Sequence, residues 1–326
     1  MRSQVRGRRL LLLAGIAVIA LFLAGLVTGA IGNAFFGGEG EAGGLLPKPE
    51  VRLPAEPVFQ SAESEGGHEG GGSSSLPAGK FLLTNTILSS WIATLVIVLL
   101  FVLATRRLSL VPRGIQNFME AVVVALLGFV EGMAGKERAR RFFPVIATIF
   151  LFVVVNAWLG LLPIYPSLGF LKEGHIERHL LRPAGTDLNM PLALALVSFI
   201  FVEYWGFRTL KGHYVGKFVR LGNLIPRPGR GWNPLQGLID LFVGGLEALS
   251  ELVRIVSFTF RLFGNMTAGE ILLLVATFLV PFVFVIPFYG LEILVGFVQA
   301  LIFAGLTLAF VTMAVMPHEE EGHGSH

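Results

Sequence analysis

A chain of 326 residues with 54% hydrophobic and 14% charged side chains falls outside the soluble globular class, which carries about 25% charged residues. Its apolar residues gather into runs that can cross a hydrocarbon core of about 30 Å, which takes about 20 helical residues, so the fold class is an all-α polytopic membrane protein. The net charge of +3 comes from basic loops without an aromatic-studded patch, which argues against nucleic acid as a partner, and the absence of cysteine excludes disulfides and thiolate metal sites.

The first nine residues, MRSQVRGRR, carry four arginines and lead into an uncharged run from Leu10 to Ile31. That run exceeds the apolar core of about 7–15 residues in a signal peptide, yet Thr28–Ala30 offers a small-residue cleavage site. Residues 1–31 are therefore either a signal peptide or an N-terminal membrane anchor, and the length favours the anchor. Residues 32–80 are rich in Gly, Ser, Pro and Glu and cannot bury enough apolar surface to offset their ordering entropy, which predicts a flexible linker with His68 solvated.

Phe81–Thr105 reads as a spanning helix ended by Arg106 and Arg107. Residues 114–141 are apolar on a helical period but carry Glu120 and Glu131, the pattern of an amphipathic helix lying at the interface. Phe142–Leu171 spans again, with a break near Pro163 and Pro166, and Leu188–Phe207 spans despite Glu203. A basic loop at 208–234 precedes two long apolar stretches, within 235–316, divided near Pro281–Pro287. This gives about five core membrane helices besides the N-terminal segment. Residues 317–326, with their His and Glu side chains in a glycine-rich setting, read as a solvated tail and not a metal site. Lys and Arg cluster at 1–9, 106–141 and 208–230, whereas the loop at 172–187 is balanced and the linker has few basic residues. The positive-inside rule puts the basic segments and the C-terminus in the cytoplasm and the other two segments outside.

Six ionisable side chains lie between Leu241 and Met316: Glu247, Glu251, Arg254, Arg261, Glu270 and Glu292. Glu247, Arg254 and Arg261 are seven apart and share one helical face, with Ser257 and Asn265 four residues to either side of Arg261. Glu292 and Gln299 give the last helix a polar stripe of its own. Arg254 has carboxylates within reach at Glu247 and Glu251, so internal pairing is open to it. Arg261 has only uncharged neighbours within a turn, and its counter-ion must come from another helix or another subunit. A guanidinium near a bilayer centre costs roughly 2.5–3.5 kcal/mol on insertion scales, and carboxylates in series are what a proton relay requires. These residues point to an ion-conducting or ion-transporting protein.

RLFGNMTAGE (Arg261–Glu270), followed about thirty residues later by GFVQALIFAGLTLAF, resembles the C-terminal signature of subunit a of the F-type ATP synthases. NAWLGLLP (Asn156–Pro163), TDLNMPLALAL (Thr186–Leu196) and the basic loop follow in the order of that family, so the resemblance covers roughly 81–316. It implies a membrane domain whose last part, 235–316, is a long tilted helical hairpin against a rotating ring of c subunits. It also implies b subunits of a peripheral stalk and the rest of the synthase as partners, a bacterial cell membrane as the location, and no cofactor or metal. By the same resemblance, Arg261 separates two half-channels. Glu270, Glu292, Gln299 and Asn265 belong to the outward one, and Glu247 and Ser257 to the cytoplasmic one. Arg254, Asp187, Asn189 and Asn156 are supporting residues; for Asp187 a helix N-cap is the competing role.

A secondary ion-coupled transporter is the nearest alternative, but the chain has no internal repeat and gathers its series of intramembrane charges in the last third. It contains no H-E-x-x-H, no G-x-S-x-G and no phosphate loop of the G-x-x-x-x-G-K-[ST] type, so nucleotide chemistry is expected in other subunits.

Overall fold

The computed structural model describes residues 2–31, 83–162, 165, 168–172, 175–210 and 234–316. The expected linker, residues 211–233 of the basic loop and the expected tail lie outside the described residues. The described helices are α1 (Arg2–Thr28), α2 (Asn85–Thr105), α3 (Ile115–Ala134), α4 (Lys136–Gly160), α5 (Asn189–Leu210), α6 (Pro234–Leu279) and α7 (Ile286–Ala314). Six of them, α2 to α7, are long and apolar enough to cross a membrane.

The bounds of one span differ most from the sequence reading. The span expected over Phe142–Leu171 begins earlier, at Lys136, and ends at Gly160. Gly135, at φ +78°, is the single residue between α3 and α4, and this left-handed backbone breaks the helix where a side chain would be strained. Pro163 and Pro166 forbid helical continuation beyond Gly160, because proline lacks the N–H and disfavours the α region in the residue before it. An antiparallel hairpin follows, β1 (Gly169–Lys172) with β2 (His175–His179), where the end of that span and a loop were expected. The third difference concerns α3, which satisfies the length and apolarity of a crossing although the sequence laid it at the interface. Its buried residues Met119, Leu126, Val130 and Ala134 form one stripe and Glu120 is exposed, so the amphipathic pattern itself is present.

The chain forms two compact units, of residues 1–89, 157–187 and 264–298, and of residues 90–156, 188–263 and 299–326. In the first, α1 presents Gly25 and Gly29, spaced as in a G-x-x-x-G face, to the turn between α6 and α7. A Cβ on either glycine would overlap the carbonyl oxygen of Pro281 or Leu279, and Phe22 meets Phe284 at 6.5 Å between ring centroids. The turn contains Phe282 at φ 72°, a strained conformation for a bulky residue. Nearby, Gly296 of α7 admits the Ala157 methyl, and Trp158 Nε1 donates to the Ile293 carbonyl at 3.1 Å.

In the second unit, Phe142 of α4 sits edge-on to Phe201 and Trp205 of α5, at 6.1 and 5.3 Å. Ser198 of α5 and Thr307 of α7 share a buried hydrogen bond of 2.7 Å. Phe258 of α6 lies 5.0 Å from Phe303 and 5.9 Å from Phe310, so α6 and α7 run antiparallel as a hairpin. With 46 residues, α6 is about 69 Å long, more than twice the thickness of a hydrocarbon core of about 30 Å. A helix of that length and apolarity must tilt steeply to keep its apolar residues in lipid.

Replacing Gly29 by Leu inserts a side chain at a backbone-to-backbone contact and is expected to destabilise the docking of α1 by about 1–3 kcal/mol. Because the chain has no cysteine, cross-linking of a Phe22→Cys/Phe284→Cys pair reads this directly: strong in the parent, weak with Gly29→Leu.

Candidate functional site

The last two helices carry the charged residues singled out in the sequence, and their environments separate the two arginines. Arg254 is held by its own chain: its guanidinium makes two contacts with the Glu251 carboxylate, at 2.6 and 3.0 Å, and stacks 3.7 Å from the centre of the Phe310 ring. Glu251 is 5% exposed, so this is a desolvated pair and Arg254 is neutralised locally. Arg261 is different. It is exposed, and among the described residues it has no hydrogen bond or ion pair. Ser257, Gly264 and Ala268, at helical spacing on the same face, are also exposed, and nothing lies within 4 Å of where a Gly264 Cβ would stand. A cation is thus presented on a face of small residues that another helix can approach closely.

Gln299 is buried on α7. Counting four residues back along α7 and four onward along α6 from the Phe258–Phe303 contact puts Gln299 level with Leu262, next to Arg261 in sequence. Asn265 is half-buried one turn beyond Arg261, Glu247 is half-buried, and Asn189 is exposed at the start of α5. Asn156 is buried but donates to the carbonyl of Phe152 at 2.8 Å on its own helix, which gives it a packing role.

The first unit assembles Glu270 and Glu292 around Gly269. The Glu292 carboxylate lies where a Gly269 Cβ would be, so any other residue there would make that carboxylate shift. Glu270 in turn pairs with Arg182 at 3.2 Å, with side-chain exposures of 27% and 11%. Arg182 lies in the segment between β2 and α5, whose backbone is anchored at several points. Its N–H donates to Ser89 Oγ at 3.3 Å, Pro183 fills the space above Gly160, and Gly185 accepts Met266 of α6 without a Cβ in the way. Asp187 accepts a hydrogen bond from Thr86 Oγ1 at 3.1 Å, and Thr84 and Thr86 are hydrogen-bonded at 3.0 Å. Thr84, Asn85, Thr86 and Ser89 are all buried, so the start of α2 is a polar wall. Burial raises the Tyr165 hydroxyl above its usual range, more than its hydrogen bond with Ser89 lowers it, and at neutral pH it remains an uncharged hydroxyl.

Arg182, Gly269 and the polar start of α2 are not among the residues expected from sequence. A signal existed for the last of these, since Asn85 and Ser89 are four apart in an otherwise apolar run. For Arg182 no local signal existed, because its partner is 88 residues away. Among the described residues no group of His, Cys, Asp and Glu can hold a metal ion.

The first unit thus holds a buried polar helix start and the half-buried Glu270 and Glu292, and the second holds an exposed arginine with no partner among the described residues. The sequence profile of the ATP synthase A chain family matches residues 87–312. The chain belongs to that family. It is 34% identical over 246 residues to ATP synthase subunit a of Mycobacterium bovis, covering 74% of this chain and 90% of the relative. It is similar to ATP synthase subunit a of Mycobacterium ulcerans, at 33% over 245 residues, and of Gloeobacter violaceus, at 31% over 235 residues. These alignments cover 74% and 72% of this chain and 90% and 85% of the relatives. With its apolar helices, family membership makes the chain a multi-pass membrane protein.

Gly269→Ala probes the site locally. The added methyl meets only the mobile end of Glu292, so stability should change by no more than about 1 kcal/mol. The carboxylate must leave its seat, and proton-driven ATP synthesis by assembled membranes should fall several-fold with the subunit still present on immunoblots.

Proposed function

We propose that this chain is the proton-conducting subunit of a rotary ATP synthase in a bacterial cell membrane. It conducts along two offset half-pathways that meet a ring of c subunits at Arg261. The observation that carries this reading is a guanidinium exposed on a small-residue face of a membrane helix with no partner among the described residues of its own chain. Such a charge is tolerated in lipid only if a partner supplies the counter-charge. A ring carboxylate passing Arg261 would be favoured in its ionised form by Coulomb attraction at low dielectric, which drives release of its proton and blocks a direct leak. Arginine suits this work because it keeps its charge when desolvated.

The outward half-pathway runs past Thr84, Asn85, Thr86, Ser89 and Asp187 to Glu270, Glu292 and Gln299, with Asn265 beside the arginine. Glu247 and Ser257 serve the cytoplasmic exit, and Arg254, already neutralised by Glu251, supports that helix. Nucleotide chemistry lies in other subunits, and the b subunits of a peripheral stalk hold this one against rotation.

The topology that fits has α2 entering from outside, α3 lying in the cytoplasmic interface, and α4 to α7 alternating to a cytoplasmic C-terminus. It is favoured over a crossing by α3, which would put Arg106, Arg107 and Arg113 opposite the basic cluster at 136–141. In this topology the end of α1 and the α6–α7 turn share the outer side, in keeping with their contact through Gly25 and Gly29. We take α1 as retained in the mature protein.

Membranes carrying Arg261→Ala test the reading. Proton-driven ATP synthesis should vanish while passive proton leak persists or rises with the nucleotide-binding subunits still attached. Synthesis near the parental rate would make the arginine structural and end the rotary assignment.

A further inference from the structure

The start of α4 and the end of α5 lie side by side and carry a set of cations that the proposed proton path does not use. We infer that Arg138 and Arg208 form a headgroup site for an anionic phospholipid, whose acyl chain lies along the exposed face of α5. Such a site requires only a membrane-spanning chain and is independent of how protons move.

Packing between two spanning helices places both guanidiniums. Phe142, near the start of α4, meets Phe201 and Trp205, near the end of α5, at 6.1 and 5.3 Å. Both helices are long and apolar enough to cross a membrane, so these two ends share one boundary. Arg138 stands four residues before Phe142, one turn nearer the helix start on the same face. Arg208 stands three residues beyond Trp205, so both arginines lie about one turn outside the aromatic contact. Arg208 is also aimed. It donates to Tyr204 Oη at 2.7 Å, and its guanidinium lies 5.5 Å from the centre of the Trp205 ring and 5.9 Å from that of Tyr204. That bond takes one donor and leaves the rest of a planar fork, whose geometry matches two oxygens of a phosphate.

Charge and surface then choose the ligand. Residues 136–141 hold four basic side chains, Lys136, Arg138, Arg140 and Arg141, against one acidic, Glu137. These four and Arg208 are all exposed, and among the described residues none of the five has an ion pair. Such a surplus favours an anionic headgroup over a zwitterionic one, whose own cation it would repel. From Arg208 back along α5 at helical spacing, Tyr204, Ile200 and Val197 are exposed. This strip is apolar except for the Tyr204 hydroxyl, which is tied to Arg208, so a chain leaving the headgroup meets apolar surface at once. A soluble phosphate would satisfy the cations and leave that strip uncovered. Tyr204 and Trp205 also stand at the level where aromatic side chains gather at membrane boundaries.

The test uses full complexes from native membranes, moved into phosphatidylcholine vesicles with a trace of phosphatidylglycerol that carries a photoreactive group high on one acyl chain. A phosphatidylcholine probe with the same group is the control. We expect the phosphatidylglycerol probe to label the peptide containing residues 200–208 several-fold more than the control, and unlabelled phosphatidylglycerol to displace it. Arg138→Gln/Arg208→Gln should weaken that labelling by about 30-fold, each basic residue beside an anionic headgroup being worth about five-fold. Arg138→Lys/Arg208→Lys, which keeps both charges, should retain most of it. Equal labelling by the two probes, or labelling unchanged in the glutamine variant, would overturn the inference. Displacement by inorganic phosphate as readily as by lipid would overturn it too, by making this a soluble-anion site. So would the absence of labelling by either probe, as when a protein partner covers the cations. Where the glutamine variant does not assemble, the two probes and the competition on the parent complex decide.

Discussion

A positive charge on a membrane helix, with no partner among the described residues, is the constraint on which this account of the molecule depends. Arg261 sits in the middle of a helix that otherwise reads as soluble in lipid, on a face of Ser257, Gly264 and Ala268. Small side chains there leave room for a second helix to come close, as the proposed ring carboxylate requires. A larger residue at any of these positions would hold that partner off and leave the cation in hydrocarbon. At 46 residues, α6 exceeds what a perpendicular crossing needs, so it must tilt to keep its apolar residues in lipid.

Three arginines show how context divides one residue type among different tasks. Arg254 is satisfied within one turn by Glu251 and by the Phe310 ring, and it is part of the packing. Arg182 pairs across 88 residues with Glu270 and ties the segment before α5 to α6. Arg261 is left for a partner. The glycines divide in the same way. Gly25 and Gly29 let backbones meet at the hairpin turn, Gly185 lets a turn lie on Met266, and Gly269 makes room for a carboxylate instead of another backbone.

Much of this was legible in the sequence because the bilayer imposes strong rules on composition. Apolar runs, prolines and basic loops gave the crossings, and the heptad spacing of Glu247, Arg254 and Arg261 marked the charged stripe. The resemblance singled out Glu270 and Glu292, and the structure puts the Glu292 carboxylate against Gly269, the neighbour of Glu270 in sequence. What sequence could not give was long-range geometry. Hydropathy counts Arg182 as loop charge and the start of α2 as merely less apolar, since their significance depends on partners far along the chain. The end of α4 was misread because Leu161, Leu162 and Ile164 continue its hydropathy while the prolines stop its hydrogen bonding. For α3 the amphipathic pattern suggested the interface while its length and apolarity satisfy a crossing, so local pattern alone does not choose between them.

The central claim is that two aqueous pathways approach Arg261 from opposite sides of the membrane. Because the chain has no native cysteine, accessibility can be read from single introduced thiols at positions 85, 89 and 292 and at positions 247 and 257. Labelling with a membrane-impermeant maleimide, in right-side-out and inverted vesicles of assembled complex, tests it most directly. The account predicts that the first set reacts only from the outer side and the second only from the cytoplasmic side. Reaction of both sets from one side, or of either set from both, would contradict it.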